Sequence, residues 1–271
     1  MRLLFIGDVM GRTGRTAVIE RLPGLRADLG LDFVVLNGEN AAGGFGITGK
    51  ICQAFYGAGV DVITTGNHAW DQREILGYID GDPRLLRPNN YPRGTPGRGV
   101  GAFEARGGRK VVVVQVMCRL FMNPLDCPFA SADAALAAYP LGGTAAAIVV
   151  DIHGEASSEK MAMGHYLDGR VSLAVGSHTH IPTADAQILP GGTAYQTDAG
   201  MCGDYDSVIG IDKAISVARF TRKLPTERMR PAEGEATVCA VFVETDDATG
   251  RATRIAPVRV GGRLAETLPV V

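Results

Sequence analysis

The chain has 271 residues and a formal net charge of −2, with 46% hydrophobic and 21% charged residues. This balance predicts a globular protein with a substantial core and excludes a disordered chain. The net charge gives no overall reason to bind a nucleic-acid backbone, although residues 213–230 carry six basic residues against one acid, Glu227.

The sequence also bears on membrane insertion, secretion and disulfide bonds. The longest apolar runs are much shorter than the ~20 residues that cross a bilayer, and the first residues lack the ~7–15 apolar residues of a signal peptide. We therefore expect a cytoplasmic protein with no membrane span. The five cysteines form no CxxC pair, which favours buried thiols over disulfides or a zinc ribbon. No repeat or linker divides the chain, so we expect one domain over residues 1–271.

Short β-branched apolar runs predict buried strands, and the early ones alternate with helical segments. The first predicted strands are 3–6, 33–36, 60–64, 111–116, 146–152 and 171–175, and the predicted helices are 15–29, 50–57, 70–79 and 158–167. This alternation predicts a largely parallel sheet. After residue 181 the runs 186–189, 193–196, 237–244 and 253–260 predict a second, more antiparallel sheet.

Two segments depart from this alternation. Residues 98–108 are rich in glycine and predict a hairpin or loop. Residues 118–129 contain Pro124 and Pro128 and interrupt the strand–helix pattern, which makes them a candidate cover for a site.

Polar side chains follow five of the predicted strands at the point where each strand ends. In an open parallel sheet these ends form the crevice where ligands bind. Carboxylate, amide and imidazole groups suit Mn, Fe(II) or Zn, and no thiolate accompanies them. The candidate metal ligands are Asp8, Glu39, Asn40, Asn67, His153, His178 and His180.

Seven ligands are too many for one ion with open positions, and they suit two ions that share a carboxylate. Two such ions can clamp a phosphoryl group and activate water, so the pattern predicts phosphoester hydrolysis. Four of the five histidines belong to these strand ends. The fifth, His165, lies in a predicted helix and is expected to be an ordinary helix residue.

The segments that carry these residues resemble a known family. GDVMGRTGR, LNGEN, GNHAWD, DIHGE and GSHTHIP, which together span Asp8 to His180, are similar to the motifs of the calcineurin-like metallophosphoesterase superfamily. In this form they resemble the bacterial YmdB-type phosphodiesterases, which hydrolyse 2′,3′-cyclic nucleotides. The resemblance implies an α/β fold, a four-layer αββα sandwich of two mixed sheets, with a dinuclear metal site at the carboxyl ends of the strands.

The resemblance also implies a role for each candidate residue. Glu39 would bridge two divalent cations, one held with Asp8, Asn40 and His180 and the other with Asn67, His153 and His178. A hydroxide that bridges the cations would attack phosphorus while His68 assists the leaving group.

The chain departs from the superfamily pattern in ways that the YmdB-type family shares in part. Met10 replaces a histidine ligand and Glu39 replaces an aspartate. The loss of one imidazole favours Fe(II) or Mn, with Zn still accepted. Ala69 replaces the acid after GNH, and Asp71 is a candidate to orient His68. Arg12 is a candidate phosphate contact, with an exposed arginine as the alternative interpretation.

Other functions stay open at this point. A phosphomonoesterase or an RNA nuclease would use the same metal site, and the basic segment 213–230 is the feature that favours RNA. A regulatory or binding protein with a bound metal and no turnover is the alternative from another class, although it would not need His68 beside the site. The partners expected are a small phosphodiester or cyclic nucleotide, RNA as the alternative, and further copies of the chain.

Overall fold

The computed structural model describes residues 1–222 and 227–270. Helices and strands alternate through much of the chain, as the sequence predicts. The strands are β1 (Arg2–Ile6), β2 (Asp8–Val9), β3 (Phe33–Asn37), β4 (Val62–Thr64), β5 (Leu85–Leu86), β6 (Val100–Glu104), β7 (Lys110–Met117), β8 (Ala147–His153), β9 (Leu173–Ser177), β10 (Gln187–Ile188), β11 (Ala194–Gln196), β12 (Met201–Asp204), β13 (Ala236–Thr245) and β14 (Ala252–Val260). The α-helices are α1 (Gly11–Asp28), α2 (Gly49–Ala58), α3 (Ile75–Tyr78), α4 (Pro128–Leu136), α5 (Ser157–Tyr166) and α6 (Lys213–Arg222).

These strands form two mixed sheets. Sheet one has eight strands within the described residues, in the order β2-β12-β13-β1-β3-β4-β5, with β14 beside β13. Sheet two has six strands there, in the order β10-β11-β9-β8-β7-β6. Parallel pairs join β1, β3, β4 and β5 in sheet one and β7, β8 and β9 in sheet two. The candidate ligands lie at the carboxyl ends of these parallel strands.

The three largest hydrophobic clusters of the described residues hold the sheets and helices together. Leu4 of β1 faces a cluster that includes Phe55 of α2, whereas the next residue, Phe5, faces Val113 of sheet two. This alternation follows from the two-residue period of a strand. A third cluster packs α4 and α5 on the other face of sheet two. Burial of a Phe or Leu side chain stabilises by roughly 1.5–3 kcal/mol, so the cluster between the sheets accounts for much of their association.

Helix α2 shows how local sequence sets the ends of an element. Thr48 Oγ1 accepts a hydrogen bond from Ile51 N at 3.3 Å, and Gly59 ends the helix with a φ of 106°. A threonine N-cap and a left-handed glycine are the usual start and stop signals of a helix. These two signals fix where the chain returns from the site towards β4.

The strands after residue 181 do not form a separate sheet, and the predicted partition is wrong. β10 and β11 extend sheet two, whereas β13 and β14 belong to sheet one, where β13 lies antiparallel to β1. The early strands are also divided, because the chain crosses from sheet one to sheet two after β5. A hydrophobic run shows that a strand is buried and does not show which strand it pairs with. Residues 98–108 contribute to the predicted hairpin, in which β6 pairs with β7.

The helix predicted over 70–79 is shorter than expected. Only α3 and a 3₁₀ turn over Ile79–Gly81 are helical, because turns occupy the residues after β4. In these turns Ala69 N donates to Gly66 O and Asp71 N donates to His68 O. The turns keep His68 and Asp71 next to each other at the end of β4.

The cysteines and helices agree with most of the remaining expectations. All five cysteines lie in the described residues and are free. Four are buried, as expected, whereas Cys127 is partly exposed, so the prediction of buried thiols is wrong for that residue. His165 is exposed on α5. Across residues 1–222 and 227–270, no helix combines the length and apolar character needed to cross a bilayer.

Candidate metal centre

A cleft of about 350 Å³ lies where β1, β3 and β4 of sheet one and β8 and β9 of sheet two end. The strand pattern predicts that these side chains come from one edge of a parallel sheet. They come instead from the edges of two sheets. Glu39, Asn40, His178 and His180 line the cleft. Asp8 and His153 contact these residues, at His178 N and at Glu39 respectively, and Asn67 contacts His153.

Gly66 allows two of these side chains to approach the chain after β4. A Cβ on Gly66 would lie 2.1 Å from Glu39 Oε2 and 2.4 Å from the His153 ring. Both distances are far below van der Waals contact, and the neighbouring atoms belong to buried side chains. Glycine is therefore required here by close approach, since a side chain would displace two candidate ligands.

The turn after β9 is held by a buried ion pair. His178 and His180 have left-handed backbone, with φ of 96° and 67°, which residues with a Cβ rarely adopt. Lys160 Nζ donates to Ser177 O at 2.7 Å and to Asp198 Oδ2 at 2.8 Å. Asp198 Oδ2 also accepts hydrogen bonds from Thr179 N and Oγ1. These contacts on both sides of the turn maintain a backbone conformation that is otherwise disfavoured.

Two groups of side chains offer ligand atoms that lie within 4.8 Å of one another. One group is Glu39, His153 and His178, and the other is Asp8, Glu39 and His180. Glu39 belongs to both groups. Asn67 Oδ1 lies 2.8 Å from His153 Nε2, and Asn40 Nδ2 lies 2.9 Å from His180 Nε2. Five of the seven predicted ligands thus form two overlapping groups, and each asparagine contacts a histidine of one group.

The hydrogen bonds of His153 indicate that a cation fits beside it. Ser177 Oγ donates to Asp151 Oδ1 at 2.6 Å, so it accepts from His153 Nδ1 at 2.9 Å. His153 Nε2 then carries a lone pair, which faces Glu39 Oε2 at 3.2 Å. Burial, together with the neighbouring His178 and the positive charge of Lys160, lowers the pKa of His153 well below its usual value. The imidazole is therefore neutral, and its Nε2 lone pair and the Glu39 carboxylate would both suit a metal ion.

His178 and His180 can also offer a nitrogen lone pair to a metal ion. His180 Nδ1 donates to Ile209 O at 2.7 Å, which leaves Nε2 as an acceptor. His178 Nδ1 is buried and has no hydrogen-bond partner among the described residues. Burial lowers the pKa of His178 to about 4. Burial also lowers the pKa of His180, because its effect is larger than that of the hydrogen bond to Ile209 O, which raises the pKa. Neutral imidazoles are the form in which histidine binds metals.

The carboxylates of the site are costly to ionise without a cation. Burial, together with the negative charges of Asp198 and Glu39, raises the pKa of Asp8 well above its usual value. Burial raises the pKa of Glu39 to about 7 despite the favourable contact with His68. Buried carboxylates in close contact are stabilised when they share a positive ion. The donor set therefore fits the divalent cations that the sequence predicts.

His68 lines the same cleft without belonging to either ligand group. Its Nδ1 lies 2.8 Å from Asp71 Oδ2, and its backbone N–H donates to Glu39 Oε2 at 3.3 Å. Its ring packs edge to face with Phe45, with centroids 5.2 Å apart. Asp71 and Phe45 thus fix the imidazole from two sides, so that the ring is held beside the candidate metal ligands.

Arg12 and residues 118–129, which the sequence also indicated, lie outside the cleft. Arg12 is 71% exposed, pairs with Glu233 and lines another pocket, formed with residues of α1 and 234–236. This position agrees with the alternative of an exposed arginine. None of residues 118–129, all of which are described, lines the cleft.

The basic segment 213–230 also lies mostly outside the cleft, although Met229 lines it. Lys213 pairs with Asp206 and Arg230 with Asp212, and Lys223 lies outside the described residues.

Several supporting residues were missed at the sequence level. Asp151 gave a usable signal, because it is an acid within the fully buried strand β8. It accepts hydrogen bonds from Ser177, Thr64 and Asn37, and burial raises its pKa to about 6. Lys160 gave no such signal, since a lysine in a predicted helix is normally exposed.

Imidazoles, amides and carboxylates that converge from two packed sheets define a candidate metal centre of the kind that the motifs indicated. The chain belongs to the YmdB-like protein family, whose model matches residues 4–258. This confirms the family that the motifs indicated.

The similarity to individual relatives extends over nearly the whole chain. The chain is 46% identical over 255 residues, 94% of its length and 95% of the relative's, to the 2′,3′-cyclic-nucleotide 2′-phosphodiesterase of Bacillus subtilis (strain 168). A solved structure of a hypothetical protein from Thermus thermophilus has a TM-score of 0.90 at 44% identity, with 97% of this chain and 100% of that chain covered. A Mycoplasma pneumoniae phosphatase structure has a TM-score of 0.89 at 31% identity, with 96% and 93% covered.

Proposed function

We propose that this protein hydrolyses 2′,3′-cyclic nucleotides at a centre of two divalent cations. The observation that carries the proposal is the pair of ligand groups that share Glu39, with His68 lining the same cleft. The similarity to a 2′,3′-cyclic-nucleotide 2′-phosphodiesterase over 94% of the chain supports the substrate class.

The seven predicted ligands divide between the two cations, with Glu39 common to both. The remaining ligands would be Asp8, Asn40 and His180 for one cation and Asn67, His153 and His178 for the other. When bound, such cations polarise phosphoryl oxygens and lower the pKa of water. Fe(II) or Mn is favoured and Zn is accepted, because Met10 supplies no imidazole to the first set.

His68 is the residue that we assign to the leaving group. Asp71 accepts a hydrogen bond from Nδ1, which leaves Nε2 for the substrate. In the proposed reaction the oxygen of a water molecule bonds to phosphorus, and the bond between phosphorus and the 2′ oxygen breaks. The 2′ oxygen takes a proton from His68, and the proton that the water releases replaces it. The phosphate stays on the 3′ oxygen, so the product from 2′,3′-cyclic AMP is 3′-AMP.

The proposal includes a single catalytic domain over residues 1–271 with a four-layer αββα arrangement. The hydrophobic cluster between the sheets and the helices packed on their outer faces support it. So does the origin of the ligand groups, since Glu39 comes from sheet one and His153 from sheet two. A cytoplasmic location, self-association and RNA contact by residues 213–230 stay predictions from the sequence.

The test is the Mn-dependent hydrolysis of 2′,3′-cyclic AMP by wild type, His68→Ala and His165→Ala. His165 is the matched control, because it is exposed on α5 and outside the cleft. We expect metal-dependent formation of 3′-AMP by wild type and by His165→Ala. His68→Ala should lose roughly 10²- to 10⁴-fold in kcat and bind Mn²⁺ as wild type does in calorimetry.

Two results would replace this proposal. If wild type binds Mn²⁺ but hydrolyses neither the cyclic nucleotide nor p-nitrophenyl phosphate, a regulatory or binding role becomes the better interpretation. If it prefers p-nitrophenyl phosphate or a short RNA by kcat/KM, the phosphomonoesterase or nuclease alternative applies.

A further inference from the structure

Ile209 has a backbone conformation that its side chain disfavours. Val208 and Ile211 exchange two backbone hydrogen bonds across a two-residue turn. The residues in the turn, Ile209 and Gly210, have φ of 47° and 90°. Two positive φ values are typical of a type I′ turn, in which asparagine and glycine are preferred at the first position. A β-branched residue there is a steric outlier.

The hydrogen bond that the Ile209 backbone makes does not require an isoleucine side chain. Its carbonyl accepts the hydrogen bond from His180 Nδ1 at 2.7 Å, a contact that glycine or asparagine could make without strain. The side chain is 51% exposed, so its burial does not account for the choice of isoleucine. Strain that folding does not require indicates a role in function.

The exposed side chain of Ile209 lies on the apolar side of the cleft. Phe45, Ile209 and Met229, which we call the apolar wall, line it together with the polar ligands. Phe45 and Met229 are partly exposed and pack against the buried cluster of Met10, Met201 and Ile211. The cleft thus combines a polar end that suits phosphate with an apolar wall that has no role in metal binding.

We propose that the apolar wall binds the nucleobase of the substrate and that Ile209 is a specificity-determining residue. This inference rests on the proposed function, because a cyclic nucleotide joins a phosphodiester to a flat base through one ribose. A small phosphodiester without a base would leave the wall exposed to water. A cleft of about 350 Å³ is within the size range of small-molecule sites.

The first test compares two substrates that share the same reacting ring. One is 2′,3′-cyclic AMP, and the other is the 2,3-cyclic phosphate of methyl riboside, which has no base. Ile209→Gly removes the side chain, retains the carbonyl for His180 and suits the left-handed turn. We expect KM for 2′,3′-cyclic AMP to rise about tenfold and KM for the base-free substrate to stay within about twofold, with any change in kcat the same for both substrates.

Two further variants separate the wall from general effects on the fold. Met229→Ala should also raise KM for the cyclic nucleotide selectively. Phe121→Gly is the matched control, because Phe121 is an exposed apolar residue with a φ of 61° that does not line the cleft. It should leave both KM values unchanged. Equal effects of Ile209→Gly on the two substrates would overturn the proposal.

A binding measurement keeps this inference distinct from the proposed function. If wild type hydrolyses neither substrate, the proposed function fails, and calorimetry with 3′-AMP and ribose 3-phosphate tests the wall alone. A selective loss of 3′-AMP affinity in Ile209→Gly would then support the wall. Unchanged 3′-AMP affinity would overturn it.

Discussion

Gly66 is the residue at which the smallest change should have the largest effect on the site. Gly66→Ala would place a methyl group against Glu39 and His153, and both side chains would have to move. We expect Mn²⁺ affinity to fall by roughly 10- to 100-fold, the range seen when ligands lose their positioning. Calorimetric titration of the metal-free protein measures this loss.

Gly57 supplies the matched control for that substitution. It lies in α2, and a Cβ there would meet no atom within 4 Å. Gly57→Ala should leave Mn²⁺ affinity unchanged and raise the free energy of unfolding by roughly 0.4–1 kcal/mol, because alanine restricts the unfolded chain. Equal metal affinities of the two variants would show that the close approach at Gly66 is unimportant.

Asp71 should matter for turnover and only through His68. Asp71→Asn removes the carboxylate that lies 2.8 Å from His68 Nδ1, so we expect kcat to fall roughly tenfold through misorientation of the ring. The measurement is a double-variant cycle with His68→Ala. The double variant should be no slower than His68→Ala alone, whereas additive losses would mean that Asp71 acts on another group.

At the scale of helices and strands, the sequence predicted more about the elements than about their arrangement. Strand positions and the polar residues that follow them were predictable, because hydrophobic periodicity and strand-end chemistry are local. The assignment of strands to two sheets was not, since pairing partners lie far apart in sequence. The supporting contacts were equally hidden, because Ile209 O and Ser177 Oγ act through geometry that no residue pattern encodes.

The turn after β9 depends on the ion pair between Lys160 and Asp198, both fully buried. Lys160→Met would leave Asp198 buried without its cation, so we expect the free energy of unfolding to fall by roughly 3–5 kcal/mol. Urea unfolding of the metal-free protein measures it. The exposed pair of Arg170 and Asp133 is the control, and Arg170→Ala should cost at most about 1 kcal/mol. Similar losses for the two variants would contradict the role given to burial.

For the whole molecule, the site has a pH-dependent effect on the stability of the metal-free protein. Burial raises the pKa of Glu39 to about 7 from 4.5, so its contribution to stability is fully present below about pH 4.5 and is lost as pH rises through 7. Glutamine cannot ionise. Glu39→Gln should therefore stabilise the metal-free protein by up to roughly 3 kcal/mol at pH 8, since one pKa unit is about 1.4 kcal/mol, and very little at pH 4.5.

Denaturant unfolding in EDTA at the two pH values tests this expectation. The same variant should lose the stabilisation that Mn²⁺ gives to wild type, because one shared ligand is missing. A variant that gains equally at both pH values would show that packing, rather than the buried charge, accounts for the change.

The position of β13 also has a consequence for the order in which the protein is made. β13 is synthesised long after β1, yet the two strands are neighbours in sheet one. Until residues 236–245 leave the ribosome, β1 presents an unpaired edge with apolar neighbours, the kind of edge that promotes aggregation. Sheet one therefore stays incomplete beside β1 until residues 236–245 have been made, and we expect Asp8, directly after β1, to reach its final position only after that.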